Sequence, residues 1–262
     1  MIHVIQLFAG GDEMKDAYYN LKTRVSGTIT TVHVGRGSSI NEAHHALESR
    51  IFRDWAASVD PRFEVREVEI QQVDYRGKPS PDKVMFIRLA VTGEGLPFRT
   101  FMELRGEVVV LLPVVHTEEG EFTILVKQPR LASGHYAFAE LPAGMCDGDD
   151  PEEALLREAK EELGIELSRE TVVDLSARVW TEGTNGPPIF STPGFLDERF
   201  HVYSAEVRMT YSELVQLDGK RTGNTTEGES ITLEVIRLSE LCHRVRDAQS
   251  IVAYMLYLEY KR

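Results

Sequence analysis

The fold and the chemistry are both indicated by the sequence REAKEELGI at residues 157–165. Its glutamates Glu158, Glu161 and Glu162 stand at i, i+3 and i+4, so a helix would place their carboxylates on one side. Like charges at this spacing repel each other, and a hard divalent cation such as Mg²⁺ relieves the repulsion because it prefers oxygen ligands. Arg157 could pair with Glu161 at i+4 and hold it in position. Taken alone, such a cluster is more often a solvated acidic face of a helix.

The residues around this stretch predict a single helix over 151–163. Asp149 or Asp150 can cap its first turn, and Gly164 can end it in a left-handed conformation. Apolar residues recur at helical spacing on a different side from the glutamates, and this stripe can face a core. The stripe consists of Leu155, Ala159 and Leu163.

A glycine-containing turn, ELPAGMCDGD at residues 140–149, leads into this helix. Backbone amides near a helix N-terminus favour an anion, and Gly144 would let the backbone approach a ligand closely. The turn and the acidic helix together therefore predict a site for a phosphate-bearing ligand and a cation.

The composition limits the classes of partner. The chain has 262 residues, enough for one large domain or two smaller ones, and its net charge is −13. Nucleic-acid binding needs clustered Lys and Arg, so this balance argues against a broad nucleic-acid surface. An acidic protein that binds phosphates must supply local positive charge through a bound metal or a few placed arginines.

The chain is expected to work inside the cell. Its two cysteines, Cys146 and Cys242, form no CxxC pair and no disulfide framework, which is typical of reduced thiols. No apolar run is long enough to span a bilayer, and the N-terminal residues lack the pattern of a signal peptide. We therefore expect a cytoplasmic protein without a membrane partner, with an organelle as the alternative location.

Hydrophobic patterning predicts three segments along the chain. Residues 1–38 are an N-terminal extension, residues 39–105 a small β-rich domain, and residues 106–262 a mixed α/β catalytic domain. The boundary near residue 105 is placed before VVVLL at residues 108–112, a continuous β-branched run that predicts a strand buried on both faces.

Most other elements are predicted from periodicity and turn residues. An amphipathic helix is expected over 39–58, with Ser39 as its N-cap. A strand is expected over 171–180. Further strands are predicted over 63–73, 83–91, 98–104, 122–127, 200–207 and 231–237, and helices over 239–246 and 248–259.

Residues 143–165 resemble the Nudix box: Gly, five residues, Glu, seven residues, Arg-Glu, a hydrophobic residue, any residue, Glu-Glu, any residue, Gly, hydrophobic. The second half, residues 157–165, matches at each defined position. The first half departs from the pattern twice, because four residues separate Gly144 from Asp149 and because Asp149 stands where the family has Glu. These departures concern the shape of the loop beside the helix.

The resemblance implies a metal site that binds Mg²⁺, with Mn²⁺ as an alternative. Glu158 and Glu162 become the main ligands, and Glu161 becomes an additional or water-mediated ligand and a candidate catalytic residue. The resemblance also implies that the carbonyl of Ala143 completes the set of ligands. Acidic loop EGE at residues 227–229 resembles the loop that supplies a catalytic base and a further ligand in bacterial ADP-ribose pyrophosphatases. By this resemblance, Glu227 is the candidate catalytic base and Glu229 is the candidate metal ligand.

Two more motifs resemble that subgroup and suggest its substrate-binding residues. The sequence VKQPR at residues 126–130 resembles a segment whose arginine, here Arg130, binds nucleotide or phosphate. The sequence STPGFLDE at residues 191–198 resembles a loop whose glutamate contacts the terminal sugar. The candidate substrate-binding set is Arg130, Glu140, Gly144, Pro193, Gly194 and Glu198. The alternatives are a solvated arginine and an ordinary surface turn.

Residues 39–262 as a whole resemble the plant-type ADP-sugar diphosphatases. The resemblance implies an α/β fold, a Nudix α/β/α sandwich with a smaller β-rich N-terminal domain, and a homodimer with exchanged N-terminal domains. The implied reaction is Mg²⁺-dependent hydrolysis of ADP-ribose or ADP-glucose to AMP and a sugar 1-phosphate. The alternatives are cleavage of UDP-glucose or GDP-mannose, and a Nudix-fold sensor that binds a nucleotide without cleaving it.

Overall fold

A computed structural model describes residues 21–96, 98–180, 187–224 and 229–262. The chain divides into two compact units. The first comprises Met1–Gly106 and Thr192–Glu198, and the second comprises Glu107–Ser191 and Arg199–Arg262. The sequence patterning did not anticipate that a short later segment joins the first unit. The predicted division into segments 1–38, 39–105 and 106–262 stays a prediction.

The first unit is built on a five-stranded sheet, counted over its described residues, in the order β1-β2-β3-β4-β5. All neighbours are antiparallel except β2 and β3, and the parallel connection between these two requires a crossover. Helices α1 (Ile40–Glu48) and α2 (Arg50–Ser58) supply it. The strands are β1 (Leu21–Val25), β2 (Thr28–Val34), β3 (Glu67–Tyr75), β4 (Val84–Thr92) and β5 (Thr100–Leu104).

The prediction of one continuous helix over 39–58 is wrong in the middle. Ser39 caps α1 as predicted, in a capping box with Glu42. Ser49, however, has an extended backbone with ψ 152°, and its hydroxyl accepts from the Phe52 amide and donates to the Ala46 carbonyl. A serine side chain that replaces backbone partners in this way favours a new helix start over continuation.

The core of the first unit lies between this sheet and the two helices. Val68 and Ile70 on β3 are fully buried, and they pack in one cluster with Leu47, Phe52 and Trp55 of the helices. The helical apolar spacing that predicted an amphipathic segment is therefore the face that covers the sheet.

The described part of the second unit forms one mixed sheet of nine strands. The main path is β10-β12-β6-β7-β14-β13, while β11 pairs with β12, β8 with β7 and β9 with β6. Only the β12–β6 pair among these is parallel. The strands are β6 (Glu107–Thr117), β7 (Gly120–Arg130), β8 (His135–Glu140), β9 (Ala143–Met145), β10 (Val172–Asp174), β11 (Ile189–Phe190), β12 (Arg199–Arg208), β13 (Arg221–Thr222) and β14 (Ile231–Arg237).

Helices cover both faces of this sheet. The helices of the second unit are α3 (Pro151–Glu158), α4 (Leu175–Trp180), α5 (Tyr211–Val215), α6 (Leu241–Arg244) and α7 (Ala248–Tyr260). On β6, Val109 and Leu111 pack with the apolar stripe of α3, whereas Val110 and Leu112 pack with α6 and α7. The predicted burial of this strand on both faces is confirmed, and so is the α/β fold class with an α/β/α sandwich.

Two helices depart from the sequence-based expectation. The strand predicted over 171–180 ends at Asp174, because the Asp174 carboxylate accepts from the Ala177 amide at 2.8 Å and starts α4. The helix predicted over 239–246 begins with the 3₁₀ turn Leu238–Glu240 and becomes α6 only at Leu241. Among the described residues, no helix combines the length and apolar character needed to cross a membrane.

Glu107 at the start of β6 supports a prediction about stability. Its carboxylate lies 3.9 Å from His201 Nε2 and accepts from Arg199 Nε at 2.9 Å. Contact with His201, followed by the charge and hydrogen bond of Arg199, lowers the pKa of Glu107 to about 2. A lowered pKa stabilises the fold above the ordinary value of 4.5, and this contribution is lost as the pH falls towards 2.

We expect Glu107→Gln to reduce the free energy of unfolding by about 2 kcal/mol at neutral pH, because it removes a charge-assisted hydrogen bond. The deficit relative to the unsubstituted protein should shrink below pH about 4.5. Urea unfolding at a series of pH values measures both. Glu166→Gln, at an exposed ion pair with Lys160, is the control and should change little. A deficit that grows on acidification would contradict the assignment.

Candidate metal and substrate site

The acidic helix begins as the sequence predicts and ends differently. Asp150 caps α3 by accepting from the Glu152 amide, and Gly164 ends the segment with φ 68°. The predicted helix over 151–163 is confirmed, but its last turn, Ala159–Leu163, is π-helical and not α-helical. A π turn inserts an extra residue into the helix and is often found at functional sites.

The predicted division of this helix into an apolar and an acidic side is confirmed in part. The apolar stripe is fully buried in the core beneath the sheet; it consists of Leu155, Ala159 and Leu163. Glu162 is also buried, with 3% of its surface exposed, while Glu158 and Glu161 are partly buried. A buried carboxylate needs a compensating partner, so this face is not an ordinary solvated acidic surface.

Strand β9 lies directly against these glutamates. It pairs with β6 through Ala143↔Val110 and Gly144↔Val109. The amide of Ala143 donates to Glu162 Oε2 at 3.1 Å. A Cβ atom on Gly144 would fall inside the carboxyl group of Glu158, so this position requires glycine for the carboxylate to stay where it is.

Arg157 holds Glu158 and not Glu161. Its Nη1 donates to Glu158 Oε1 at 2.6 Å and its Nη2 donates to the Met145 carbonyl at 2.9 Å. The Asp149 carboxylate lies 3.7 Å from Nε. The suggested i, i+4 pair with Glu161 is therefore wrong as a direct contact, because the guanidinium is turned towards β9.

The carboxylates interact strongly with one another. Burial, reinforced by the charges of Glu161 and Glu229 and opposed by Arg157, raises the pKa of Glu158 to about 7. Burial, reinforced by Glu158, Glu229 and Glu140 and opposed by the Ala143 amide, raises the pKa of Glu162 well above its ordinary value. A bound cation would therefore stabilise the ionised forms of these carboxylates.

The donor chemistry fits a hard divalent cation. Over residues 21–96, 98–180, 187–224 and 229–262, no three His, Cys, Asp or Glu side chains are already gathered as a metal-binding cluster. Glu158 is turned to Arg157 and Glu162 to the Ala143 amide. The available donors are nevertheless all oxygens, they repel each other, and the absence of a side chain at Gly144 lets the Glu158 carboxylate lie against the backbone.

Glu229 belongs to the same electrostatic environment, whereas Glu227 lies outside the described residues. Glu229 is exposed and its Oε2 accepts from the Asn224 amide at 3.1 Å. Gly223, which precedes it in the chain, is tied to the acidic helix, because the Gly223 amide donates to the Glu161 carbonyl at 3.3 Å. Gly223 therefore lies beside the end of the helix that carries the acidic residues.

The structure brings two of the predicted substrate-binding residues together. Arg130 on β7 donates from Nε to Glu140 Oε1 at 2.9 Å and forms an ion pair with it through Nη2. Gln128 donates to the same oxygen at 2.9 Å. Glu140 is 8% exposed and burial raises its pKa, against the opposing effect of Arg130. Glu140 thus fixes an arginine that remains partly exposed.

Three other predicted binding residues, Pro193, Gly194 and Glu198, lie in the first compact unit. Pro193 and Gly194 form an exposed turn. Glu198 is 4% exposed and forms an ion pair with Arg105, so the structure gives it a protein partner that sequence reasoning did not assign. Asp197 beside it accepts from the Arg105 amide at 2.5 Å. Acidic residues that follow a turn were the signal available in the sequence, but their partner lies 92 or more positions away.

Comparison with known proteins identifies the family. The NUDIX domain model matches residues 106–254, which is more than half of the chain. The chain belongs to the Nudix family. It is therefore a hydrolase that acts on pyrophosphate bonds, and Nudix hydrolases generally need divalent metal ions.

Two curated relatives agree with this membership. This Nudix chain is 31% identical to "Nudix hydrolase 14, chloroplastic" of Arabidopsis thaliana over 237 residues, covering 84% of this chain and 74% of the relative. It is 32% identical to "ADP-ribose pyrophosphatase" of Bacillus subtilis (strain 168) over 165 residues, covering 62% and 77%. A solved structure titled as an ADP compounds hydrolase has a TM-score of 0.45 and 16% identity, covering 75% of this chain and 95% of that one.

The contact at Gly144 predicts a sharp effect of a small substitution in this Nudix hydrolase. Gly144→Ala places a methyl group where the Glu158 carboxyl lies, and the flexible side chain must move away. We expect hydrolysis to fall by roughly 10–100-fold, the usual effect of misplacing a ligand's support, with little change in the thermal midpoint. Steady-state assays and thermal melting measure these two quantities. Unchanged activity in a folded Gly144→Ala protein would show that the position of Glu158 does not matter.

Proposed function

We propose that this Nudix hydrolase uses Mg²⁺ to cleave the diphosphate of ADP-sugars such as ADP-ribose and ADP-glucose, giving AMP and a sugar phosphate. The sugar product is glucose 1-phosphate from ADP-glucose, and ribose 5-phosphate from ADP-ribose because the diphosphate of ADP-ribose is attached at C5 of the terminal ribose. Mn²⁺ is proposed as a substitute cation. The observation that carries the proposal is a pair of mutually repelling carboxylates, the partly buried Glu158 and the buried Glu162, that lie against Gly144 and Ala143 of β9. The choice of an ADP-sugar is supported by the name of the Bacillus subtilis relative and by Arg130.

The proposed cation ligands are Glu158, Glu162, Glu161, Glu229 and the Ala143 carbonyl. When bound, a divalent cation supplies Lewis-acid stabilisation of the charge that develops on the diphosphate oxygens. The chain's own contribution is orientation. Arg157 holds Glu158 against β9, and the amide of Ala143 holds Glu162, so neither carboxylate has to be ordered at the moment of reaction.

The proposed proton acceptor is a carboxylate of the acidic loop. Glu227 is the candidate base and would take the proton of the attacking water as its oxygen approaches phosphorus. Glu161 is the second candidate. Its carbonyl accepts from the amide of Gly223, which precedes the acidic loop in the sequence.

The proposed substrate contacts depend on positive charge in an acidic chain. Arg130 would bind a phosphate or the nucleotide, and Glu140 would keep its planar guanidinium oriented through the ion pair. Gly144 would allow close approach of the diphosphate to the backbone. The other proposed substrate-binding residues are Pro193, Gly194 and Glu198.

A panel of nucleoside diphosphate sugars tests the substrate. With Mg²⁺ present, we expect ADP-ribose and ADP-glucose to be hydrolysed fastest. Mass spectrometry should identify AMP and ribose 5-phosphate from ADP-ribose, and AMP and glucose 1-phosphate from ADP-glucose. UDP-glucose and GDP-mannose are the competing substrates, and faster turnover of either would replace the ADP-sugar assignment. No hydrolysis of any member with Mg²⁺ or Mn²⁺ would overturn the proposal.

A substitution of Glu162 separates an enzyme from a nucleotide sensor. The altered first half of the Nudix box is the feature that favours a sensor. We expect Glu162→Gln to lower kcat at least roughly 100-fold while the thermal midpoint is kept or raised, because a buried charge is removed. Glu166→Gln on the exposed end of the same segment is the matched control and should keep full activity. Retained nucleotide affinity without any turnover in the unsubstituted protein would support the sensor instead.

The remaining proposals concern assembly and location. We propose a homodimer with exchanged N-terminal domains, which sedimentation velocity would detect as twice the chain mass. The cytoplasm is proposed as the location, with an organelle as the alternative because the Arabidopsis thaliana relative is named as chloroplastic. Fluorescent tagging of the full chain in its own cell type distinguishes the two.

A further inference from the structure

The short link between β8 and β9 is tied to three different elements. The amide of Leu141 donates to Ser250 Oγ on α7 at 2.8 Å. The carbonyl of Pro142 accepts from the Leu111 amide on β6 at 2.9 Å. The amide of Ala143 donates to Glu162 Oε2 at 3.1 Å. Three successive residues therefore connect the C-terminal helix to a carboxylate of the proposed cation site.

Ser250 is unusual for a serine near the start of a helix. It is fully buried, and its own amide donates to Asp247, the cap of α7. A serine at this position ordinarily bonds to nearby backbone of its own helix. Here its hydroxyl accepts from a residue 109 positions away in the chain.

The Leu141 amide depends on this contact. Leu141 follows the last residue of β8, and the pairing of β8 with β7 ends at Glu140. The residue is 1% exposed, so its N–H is cut off from bulk water. A buried backbone donor requires a partner, and Ser250 Oγ is the partner that the fold supplies.

The link transmits position because it is short and stiff. The ring of Pro142 fixes its φ angle. Leu141 and Ala143 therefore move together, whereas residues joined by a flexible linker could move independently. A shift of Leu141 towards or away from α7 must therefore move the Ala143 amide and carbonyl relative to Glu162. It must also move Gly144, whose backbone lies against the Glu158 carboxyl.

We propose that Ser250 is a positioning residue of the carboxylate site: by holding the Leu141 amide, it sets where β9 presents Ala143 and Gly144 to Glu162 and Glu158. The inference rests on the proposed function, because it assigns Ser250 a role in cation binding and turnover. Ser250 touches neither substrate nor cation. It acts through the backbone of residues 141–143.

The test compares two buried cap-region serines. Ser250→Ala removes the acceptor of the Leu141 amide. Ser49→Ala is the matched control, because Ser49 is 1% exposed and accepts from the Phe52 amide in the first unit, which does not include β9. Both substitutions should lower the thermal midpoint. Only Ser250→Ala should also change cation binding and turnover.

The expected kinetic result for Ser250→Ala is a roughly tenfold or larger loss of kcat on ADP-ribose, with KM changed by less than about threefold. The half-saturating Mg²⁺ concentration should rise roughly tenfold, and Mn²⁺ binding followed by electron paramagnetic resonance should weaken to a similar degree. Hydrogen exchange of the amides in 139–145 should accelerate. Ser49→Ala should match the unsubstituted protein in all of these measurements.

The outcomes separate this inference from the proposed function. If the unsubstituted protein hydrolyses ADP-sugars and Ser250→Ala shows the kinetics and Mn²⁺ affinity of Ser49→Ala, the inference is overturned and the proposed function stands. If the unsubstituted protein hydrolyses none of the panel, the proposed function fails, and the Mn²⁺ affinity of Ser250→Ala still decides the inference. Should Ser250→Ala not fold, Ser250→Cys keeps the shape with only a weak sulfur acceptor and carries the same comparison.

Discussion

Two carboxylates, one buried and one partly buried, are held against the backbone of the three-residue strand β9, and the arrangement of the second unit depends on this constraint. Burial disfavours the charged forms of Glu158 and Glu162, and neighbouring carboxylates add to this effect. The pKa of each group is therefore raised. The fold tolerates this cost by giving each one a fixed partner, Arg157 for Glu158 and the Ala143 amide for Glu162. Both carboxylates are therefore already oriented, and additional positive charge would stabilise their ionised forms.

Strand β6 provides the rigidity that such an arrangement needs. It is buried on both faces, with alternate residues packed against α3 on one side and α7 on the other. Strand β9 pairs directly with β6, so the backbone that faces the glutamates is held by the most buried part of the sheet. Side chains on a close-packed element are placed more precisely than side chains on a free loop, because dense interiors deform little.

Patterns of residue type predicted the parts of the fold that depend on burial. The continuous apolar run at 108–112 indicated a strand covered on both faces, and 157–165 indicated an acidic helix backed by an apolar stripe. The split of the helix at Ser49 and the early end of the strand at Asp174 each depend on one side chain that accepts a hydrogen bond from a backbone amide. The periodicity of apolar residues carries no information about such a bond. The direction of Arg157 depends on a neighbouring strand that only the tertiary structure supplies.

The second passage of the chain through the first unit has a consequence for dissecting the protein. Thr192–Glu198 belongs with Met1–Gly106, and within that unit the Glu103 amide donates to the Phe195 carbonyl while Asp197 accepts from the Arg105 and Gly106 amides. A fragment starting at Glu107 would carry this segment without its strand partner and would leave a buried aspartate without those two donors. The two units are thus interleaved in the sequence, and no single cut separates one from the other.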